Sequence, residues 1–208
     1  MQVPLLPELD LELADERVRL FDATGGYRSD APPPFWSFAW PGGVALARHL
    51  LDHPELVAGR TVVDLGAGSG LVGIAAKRAG ARRVTAVDTD PAALAAVVRN
   101  AARNGVEIET AAAVVPAEVV VAGDVFYSAP VSATVLKILR TAAADALVGD
   151  PGRGHLPERL FEELAEYDVP VRRSLEAGDV MTTRIWRLRR STSGAASAGP
   201  SAGPSAGL

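Results

Sequence analysis

The stretch from Thr61 to Gly70, Thr-Val-Val-Asp-Leu-Gly-Ala-Gly-Ser-Gly, constrains the fold more than any other part of the chain. Thr61-Val62-Val63-Asp64-Leu65 is a short apolar, β-branched run, as expected of a buried strand. Three glycines at alternate positions follow. Leu71, Ile74 and Ala75 then recur at helical spacing until Gly80, a C-terminal stop signal. A strand that passes through a glycine turn directly into a helix is the opening of a βαβ unit, and such units build parallel sheets.

The same rhythm continues downstream. Val84-Thr85-Ala86-Val87 reads as the second strand, ending at Asp88. Asp90 caps the next helix, with Pro91 at its first position. Leu94, Val97, Val98 and Ala101 mark the buried stripe of that helix, and Asn104-Gly105 ends it. Val106 to Thr110 forms a weak third strand and Glu118 to Ala122 a fourth, followed by Gly123-Asp124. Val131, Val135, Ile138 and Leu139 line another helix, and Ala146 to Gly149 is a fifth strand. Pro157 opens a further helix bearing Leu160, Phe161 and Leu164. Two extended runs, Asp168 to Leu175 and Val180 to Arg189, flank the turn residues Glu176-Ala177-Gly178-Asp179 and predict a hairpin. The expectation is an α/β, Rossmann-like, doubly wound and mostly parallel seven-stranded sheet with a C-terminal antiparallel hairpin edge.

The ends of the chain depart from this rhythm. Residues 1–43 read as an N-terminal extension, with Phe35, Trp36, Phe38 and Trp40 crowded between Pro34 and Pro41-Gly42-Gly43. Residues 44–190 read as the core. Residues 191–208 repeat Ser-Ala-Gly-Pro, which offers too little apolar surface to offset ordering entropy, so a disordered tail is expected.

Composition narrows the chemistry. With no cysteine in 208 residues, disulfides, thiolate metal sites and a cysteine nucleophile are excluded. His49 and His53 stand four apart with no third ligand, so no metal site is expected and the pair reads as surface decoration. A net charge of −4 disfavours a nucleic-acid partner. The N-terminus lacks a signal-peptide pattern and no apolar run is long enough to span a bilayer, so a cytoplasmic location is expected.

Chemistry concentrates at the glycine turn. Asp88 lies 18 residues past Gly70 and ends the neighbouring strand, where its two oxygens can accept from both hydroxyls of an adenosine ribose. Dinucleotide enzymes and S-adenosylmethionine (SAM) enzymes both use such an arrangement, and a purely structural glycine loop is the bland alternative. Gly68-Ser69-Gly70-Leu71-Val72-Gly73 matches the dinucleotide hexapeptide but starts two residues beyond the strand. The ordered set Asp64, Gly66, Gly68, Gly70 and Asp88 resembles the class I SAM-dependent methyltransferases instead.

The resemblance extends further. Pro34-Phe35-Trp36-Ser37-Phe38-Ala39-Trp40-Pro41-Gly42-Gly43, the glycine turn, and Gly123-Asp124-Val125-Phe126-Tyr127 together resemble the lysine methyltransferases of the electron-transfer-flavoprotein β subunit. Gly149-Asp150-Pro151-Gly152-Arg153 is similar to the bacterial members of that family. The likeness covers roughly residues 8 to 189; related ribosomal-protein lysine methyltransferases share the glycine turn but not the flanking segments. The resemblance implies roles. Gly66, Gly68 and Gly70 pass under the methionine part of SAM, Asp64 helps hold its amino end, and Asp88 binds its ribose. Trp40 covers the pocket, Gly123 and Asp124 form its floor, and Asp124 and Tyr127 flank the incoming amine. Each role has a rival: Asp64 as a helix cap, Trp36, Phe38 and Trp40 as core, Tyr127 as a buried strand-end residue. Asp150, Arg153 and His155 read either as a substrate rim or as a loop-stabilising group.

The function so implied is protein-lysine N-methylation of the flavoprotein subunit or a ribosomal protein, with SAM as donor, S-adenosylhomocysteine (SAH) as product and a protein bearing an accessible lysine as partner. A small-molecule N-methyltransferase and a SAM binder without catalysis are the alternatives. The sequence departs from the pattern between Gly105 and Asp124, where only 18 residues intervene and Glu109 is the acid nearest to an adenine-reading position.

Overall fold

The computed structural model describes residues 2–14, 34–173, 175–176 and 178–190. Two short strands, β1 (Gln2–Val3) and β2 (Leu6–Asp10), form an N-terminal hairpin. There follow α1 (Pro41–Asp52), β3 (Thr61–Leu65), α2 (Leu71–Arg78), β4 (Arg83–Val87) and α3 (Pro91–Arg103). Next come β5 (Glu109–Ala111), β6 (Ala117–Gly123), α4 (Ala129–Thr141), β7 (Ala143–Asp150), β8 (Phe161–Pro170) and β9 (Val180–Leu188). The last seven strands… β3 to β9… form one sheet in the order β5-β4-β3-β6-β7-β9-β8, parallel except for β8 and β9. The expected fold class is therefore observed. Strand order reverses beside β3, and in an open α/β sheet the crevice beyond the carboxyl ends of the strands at such a point is where ligands bind.

The two faces of the sheet are covered unequally. On one face α1 and α2 bury Leu46, Leu50, Leu71, Ile74 and their neighbours against Val62, Val84, Val119 and Leu147. On the other, among the described residues, α4 is the only helix, and Val135 and Leu139 pack with Val63, Val120, Val148, Phe126 and Phe161. The shortness of the segment before Asp124 explains this. Residues 112–116 must cross from the sheet edge at β5 to the start of β6, three strand positions away. That diagonal is on the order of 20 Å, close to the full reach of six peptide units, so no helix fits in it.

Three local readings are corrected. The helix expected from Pro157 is a single 3-10 turn, Glu158–Leu160, and Phe161 to Pro170 is strand β8, so the hairpin's first arm lies earlier than Asp168. Hydrogen bonding to β9 along nearly its whole length, from Phe161 opposite Leu188 to Pro170 opposite Val180, overrides the helical spacing of its apolar residues. In α3 the buried stripe is Ala93, Ala96, Val97, Asn100 and Ala101, while Val98 is 54% exposed and Leu94 half-buried. This face packs closely on the glycine turn, where a Cβ on Gly70 would meet Val97 at 3.2 Å. His49 is buried rather than decorative: its Nδ1 lies 3.0 Å from the Tyr167 hydroxyl, and burial lowers its pKa to about 4.

The N-terminal residues join the core. Leu6, Leu9 and Leu11 are fully buried against α1 and α2. Asn100 of α3 and Asn104 at its C-terminal cap hold the end of β2 and the chain after it by bonding the backbone of Glu12 and Asp10 respectively. The remainder of the extension, residues 15–33, and the Ser-Ala-Gly-Pro tail lie outside the described residues. No helix among the described residues is long and apolar enough to cross a membrane.

Candidate active site

Strand β3 delivers the chain into the glycine turn at the reversal point of the sheet. Gly66, Gly68 and Gly70 all have positive φ, at 70°, 53° and 82°. Side chains rarely adopt these angles, which accounts for three glycines in five residues. The turn is anchored to β4, since the amides of Gly66 and Ala67 both donate to the Val87 carbonyl. Gly66 is exposed at the crevice, whereas Gly70 is buried and serves the close packing of α2 on α3.

The two acids divide their work. Asp64 is 1% exposed, and its Oδ2 accepts from the Gly73 amide at 2.8 Å, in the first turn of α2. Burial pushes its pKa up to about 7, against the pull of that hydrogen bond. Its observed contact is thus the helix cap named as a rival reading. Asp88 sits half-buried at the carboxyl end of β4, with Oδ2 accepting from the Gly68 amide at 2.9 Å and Oδ1 from Asp90 at 3.0 Å. A carboxylate offers about four acceptor positions, so one remains on each oxygen for a pair of vicinal hydroxyls. This geometry fits the adenosine portion of SAM: an exposed glycine at the strand end and a carboxylate tied to the same loop, at the switch point of the sheet. Glu109 is not part of it. It begins β5 and pairs through both oxygens with Arg83 at the start of β4, away from the carboxyl ends. Beyond β5 stand Ala112 and Ala113, which offer only backbone groups to an adenine.

Opposite the glycine turn, α1 meets the ends of β6 and β7 across four glycines. A Cβ on Gly123 would lie 2.5 Å from Gly43 Cα, and one on Gly149 would lie 2.0 Å from the Gly42 carbonyl oxygen. The role of Gly123 visible here is therefore close approach of backbone to backbone. The next residue, Asp124, has φ of 58° and a side chain only 7% exposed. Its Oδ2 accepts from the Gly42 amide at the start of α1 at 2.6 Å, and its Oδ1 from Arg153 Nε at 2.6 Å. Burial raises its pKa to about 6, although Arg153 and the Gly42 amide pull it down.

The four aromatic residues singled out in the sequence differ in their surroundings. Trp40 is half-buried, donates its indole N–H to the Phe35 carbonyl at 2.8 Å, and stacks beneath the Arg153 guanidinium, whose carbon lies 5.6 Å from the ring centre. The backbone of Trp36 lies against the glycine turn, 3.6 Å from where a Gly68 Cβ would stand. Phe38 is buried, in line with a core reading, whereas Tyr127 is 58% exposed and not the buried strand-end tyrosine offered as its rival. Sequence reasoning missed Glu176, which receives Arg153 Nη2 at 2.7 Å from the β8–β9 turn, because nothing in the local pattern links positions 23 residues apart. It also missed Asn100, whose Nδ2 donates to the Ser69 carbonyl at 2.9 Å and ties α3 to the glycine turn. The available signal was a polar residue inside the buried stripe of an amphipathic helix.

Comparison with known proteins agrees with this geometry. The profile of the ribosomal protein L11 methyltransferases (PrmA) matches residues 46–150. The chain is 34% identical over 202 residues to the electron transfer flavoprotein beta subunit lysine methyltransferase of Rattus norvegicus, an alignment covering 88% of this chain and 77% of that protein. For the Homo sapiens protein of the same name the identity is 34% over 200 residues, with 88% and 75% covered. The solved structure of the N-methyltransferase NodS from Bradyrhizobium japonicum, in complex with SAH, superposes with a TM-score of 0.50 at 14% identity, covering 71% of this chain and 88% of that one. That likeness speaks for the fold alone. Sheet order, glycine turn and sequence matches together define a SAM-dependent methyltransferase. Within that class the chain belongs to the electron-transfer-flavoprotein β-subunit lysine methyltransferase family, and its core is shared with the ribosomal protein L11 methyltransferases.

Proposed function

We propose that this chain methylates lysine ε-amines of a protein acceptor, with the electron-transfer-flavoprotein β subunit as the first candidate and a ribosomal protein as the second. The observation that carries this reading is the juxtaposition at the switch point: Asp88 and the glycine turn on one side, Asp124 and exposed Tyr127 at the end of β6 on the other. Bound SAM supplies an electrophilic methyl group on a positively charged sulfur, leaving SAH. Asp88 holds the ribose, Gly66 and Gly68 admit the methionine portion, Asp64 stabilises the turn from behind, and Trp40 closes the pocket.

A free lysine has a pKa near 10.4, so presenting it as a neutral amine at pH 7 costs roughly 5 kcal/mol. Desolvation against Trp40 and Tyr127 and proximity to a cationic sulfonium both lower that cost. Asp124 orients the amine through acceptor positions not used by Gly42 and Arg153, and the in-line approach is then a matter of alignment and exclusion of water. The net charge of −4 suits a cationic side chain better than a phosphate backbone.

Transfer of a tritiated methyl group from labelled SAM into a cell lysate tests this reading. Label in a protein band supports it. Label confined to small solutes points to a small-molecule acceptor, and SAM binding without any transfer points to a chain that binds the donor but lacks catalysis.

A further inference from the structure

Arg153 stands at a junction of three chain segments. Its Nε donates to Asp124 at the end of β6, its Nη2 to Glu176 in the β8–β9 turn, and its guanidinium lies over Trp40 ahead of α1. The carboxylates of Asp124 and Glu176 are only 7% and 10% exposed, and Arg153 itself 23%. A third acid, Asp150, is 3% exposed with a buried Oδ2 that has no partner, and it interacts electrostatically with both Asp124 and Arg153.

Building on the lysine reading above, we propose that Arg153 is a positioning residue for the acceptor amine: by gripping Asp124, Glu176 and Trp40 together it aims the Asp124 carboxylate and fixes one wall of the acceptor site. A buried ion triad is a poor source of stability, because desolvation offsets most of the Coulombic gain. What a planar, forked guanidinium supplies is geometry, since each donor fixes one partner's orientation. Asp124 depends on that help. It sits at a φ unfavourable for a non-glycine residue, and its two other fixed contacts, the Gly42 amide it accepts from and the Gly149 carbonyl its own N–H donates to, come from the packed glycines. Arg153 also governs its charge. The groups facing Asp124 are Asp150 at the end of β7, Arg153 from the β7–β8 segment, Glu176 behind Arg153 from the β8–β9 turn, and the amino end of α1. Without Arg153, burial and the like-charged Asp150 drive the carboxyl towards its neutral form, which cannot attract an ammonium.

The test compares the full chain with Arg153→Met, Arg153→Lys and Glu176→Gln, measuring SAH affinity by calorimetry and kcat and KM for the protein acceptor across pH. Arg153→Met is expected to keep SAH affinity within about threefold while kcat falls about 100-fold, the usual consequence of a misplaced reacting group. The acid limb of its pH–rate profile is expected to move up by about one unit or more. Arg153→Lys should restore part of kcat and return the acid limb, because it keeps the charge but not the fork. Glu176→Gln should lose less than Arg153→Met. An unchanged kcat and acid limb accompanied only by a lower melting temperature would overturn the proposal, as would equal losses of SAH binding and turnover. If Arg153→Met fails to fold, kcat is compared in Arg153→Lys and Glu176→Gln, and a wild-type kcat in both would overturn it. If the wild-type chain methylates no lysine, the lysine reading fails separately. The grip on Asp124 is then read from its carboxyl titration by carbon-13 NMR, where the same midpoint in wild type and Arg153→Met (or Arg153→Gln, if the Met variant does not fold) refutes it.

Discussion

Replacing Gly149 with alanine probes the contact on which the acceptor side of the site is built. The new Cβ would lie 2.0 Å from the Gly42 carbonyl oxygen, 2.9 Å from its carbonyl carbon and 3.0 Å from Leu46 Cβ. A carbon and a carbonyl oxygen settle at about 3.3 Å, so α1 must withdraw by more than about 1 Å. That movement pulls the Gly42 amide from Asp124 Oδ2, a bond of 2.6 Å in the native chain. Overpacking costs about 1–3 kcal/mol, and loss of a hydrogen bond to a charged group adds about 1.5–3 kcal/mol. Each kcal/mol lowers the melting temperature of a domain this size by about 2–4 °C, so a fall on the order of 10 °C is expected by scanning calorimetry. Turnover should fall about 100-fold as Asp124 loses its alignment, with SAH affinity less affected because the glycine turn is anchored to β4. A melting temperature within about 2 °C of wild type together with full turnover would show that α1 is not seated as described.

Three further outcomes follow from contacts elsewhere. Asp88→Ala should weaken SAH binding by about 100-fold or more in titration calorimetry, since two hydrogen bonds to a charged acceptor disappear at about 1.5–3 kcal/mol each; an unchanged Kd would remove Asp88 from the ribose site. Burial raises the pKa of Asp64 from 3.8 to about 7, so its contribution to stability is complete below the unfolded value and is lost as pH climbs towards 7. Asp64→Asn keeps an oxygen for the Gly73 amide and abolishes that loss; its melting temperature should therefore fall less than wild type between pH 5 and 8, and a steeper fall would contradict the burial argument. Asn100→Ala strands the Glu12 amide and the Ser69 carbonyl, at a cost of about 1–3 kcal/mol. Faster hydrogen exchange across residues 2–14 should report it, and unaltered exchange there would disprove the tie between α3 and the N-terminal segment.

Much of this architecture is legible in the sequence. The β3–glycine–α2 unit, the Asp90 cap with its hydrogen bond to Ala92, and the Gly80 stop are governed by local backbone rules, and local rules are visible in a sequence. Strand β8 was misread because its helical spacing of Leu160, Phe161 and Leu164 was outweighed by pairing with β9, a contact that no local pattern announces. The buried face of α3 is misjudged from the sequence because three of its five residues are alanines and one is Asn100, so the larger apolar Leu94 and Val98 mark the wrong stripe. For the site, the glycine turn and its acids were legible as a set. The Asp124–Arg153–Glu176 group was only half visible: Arg153 stood in a recognisable segment, but its partners lie 29 and 23 residues away and meet it only through the sheet order.

The most direct test is to incubate purified electron-transfer flavoprotein with this chain and SAM, then sequence the β-subunit peptides by tandem mass spectrometry. Methyl groups located on lysine, dependent on SAM and absent with Asp88→Ala, are the predicted result. An unmodified β subunit and unmodified ribosomal proteins, from an enzyme shown in parallel to bind SAH, would contradict the assignment of a protein lysine as the acceptor.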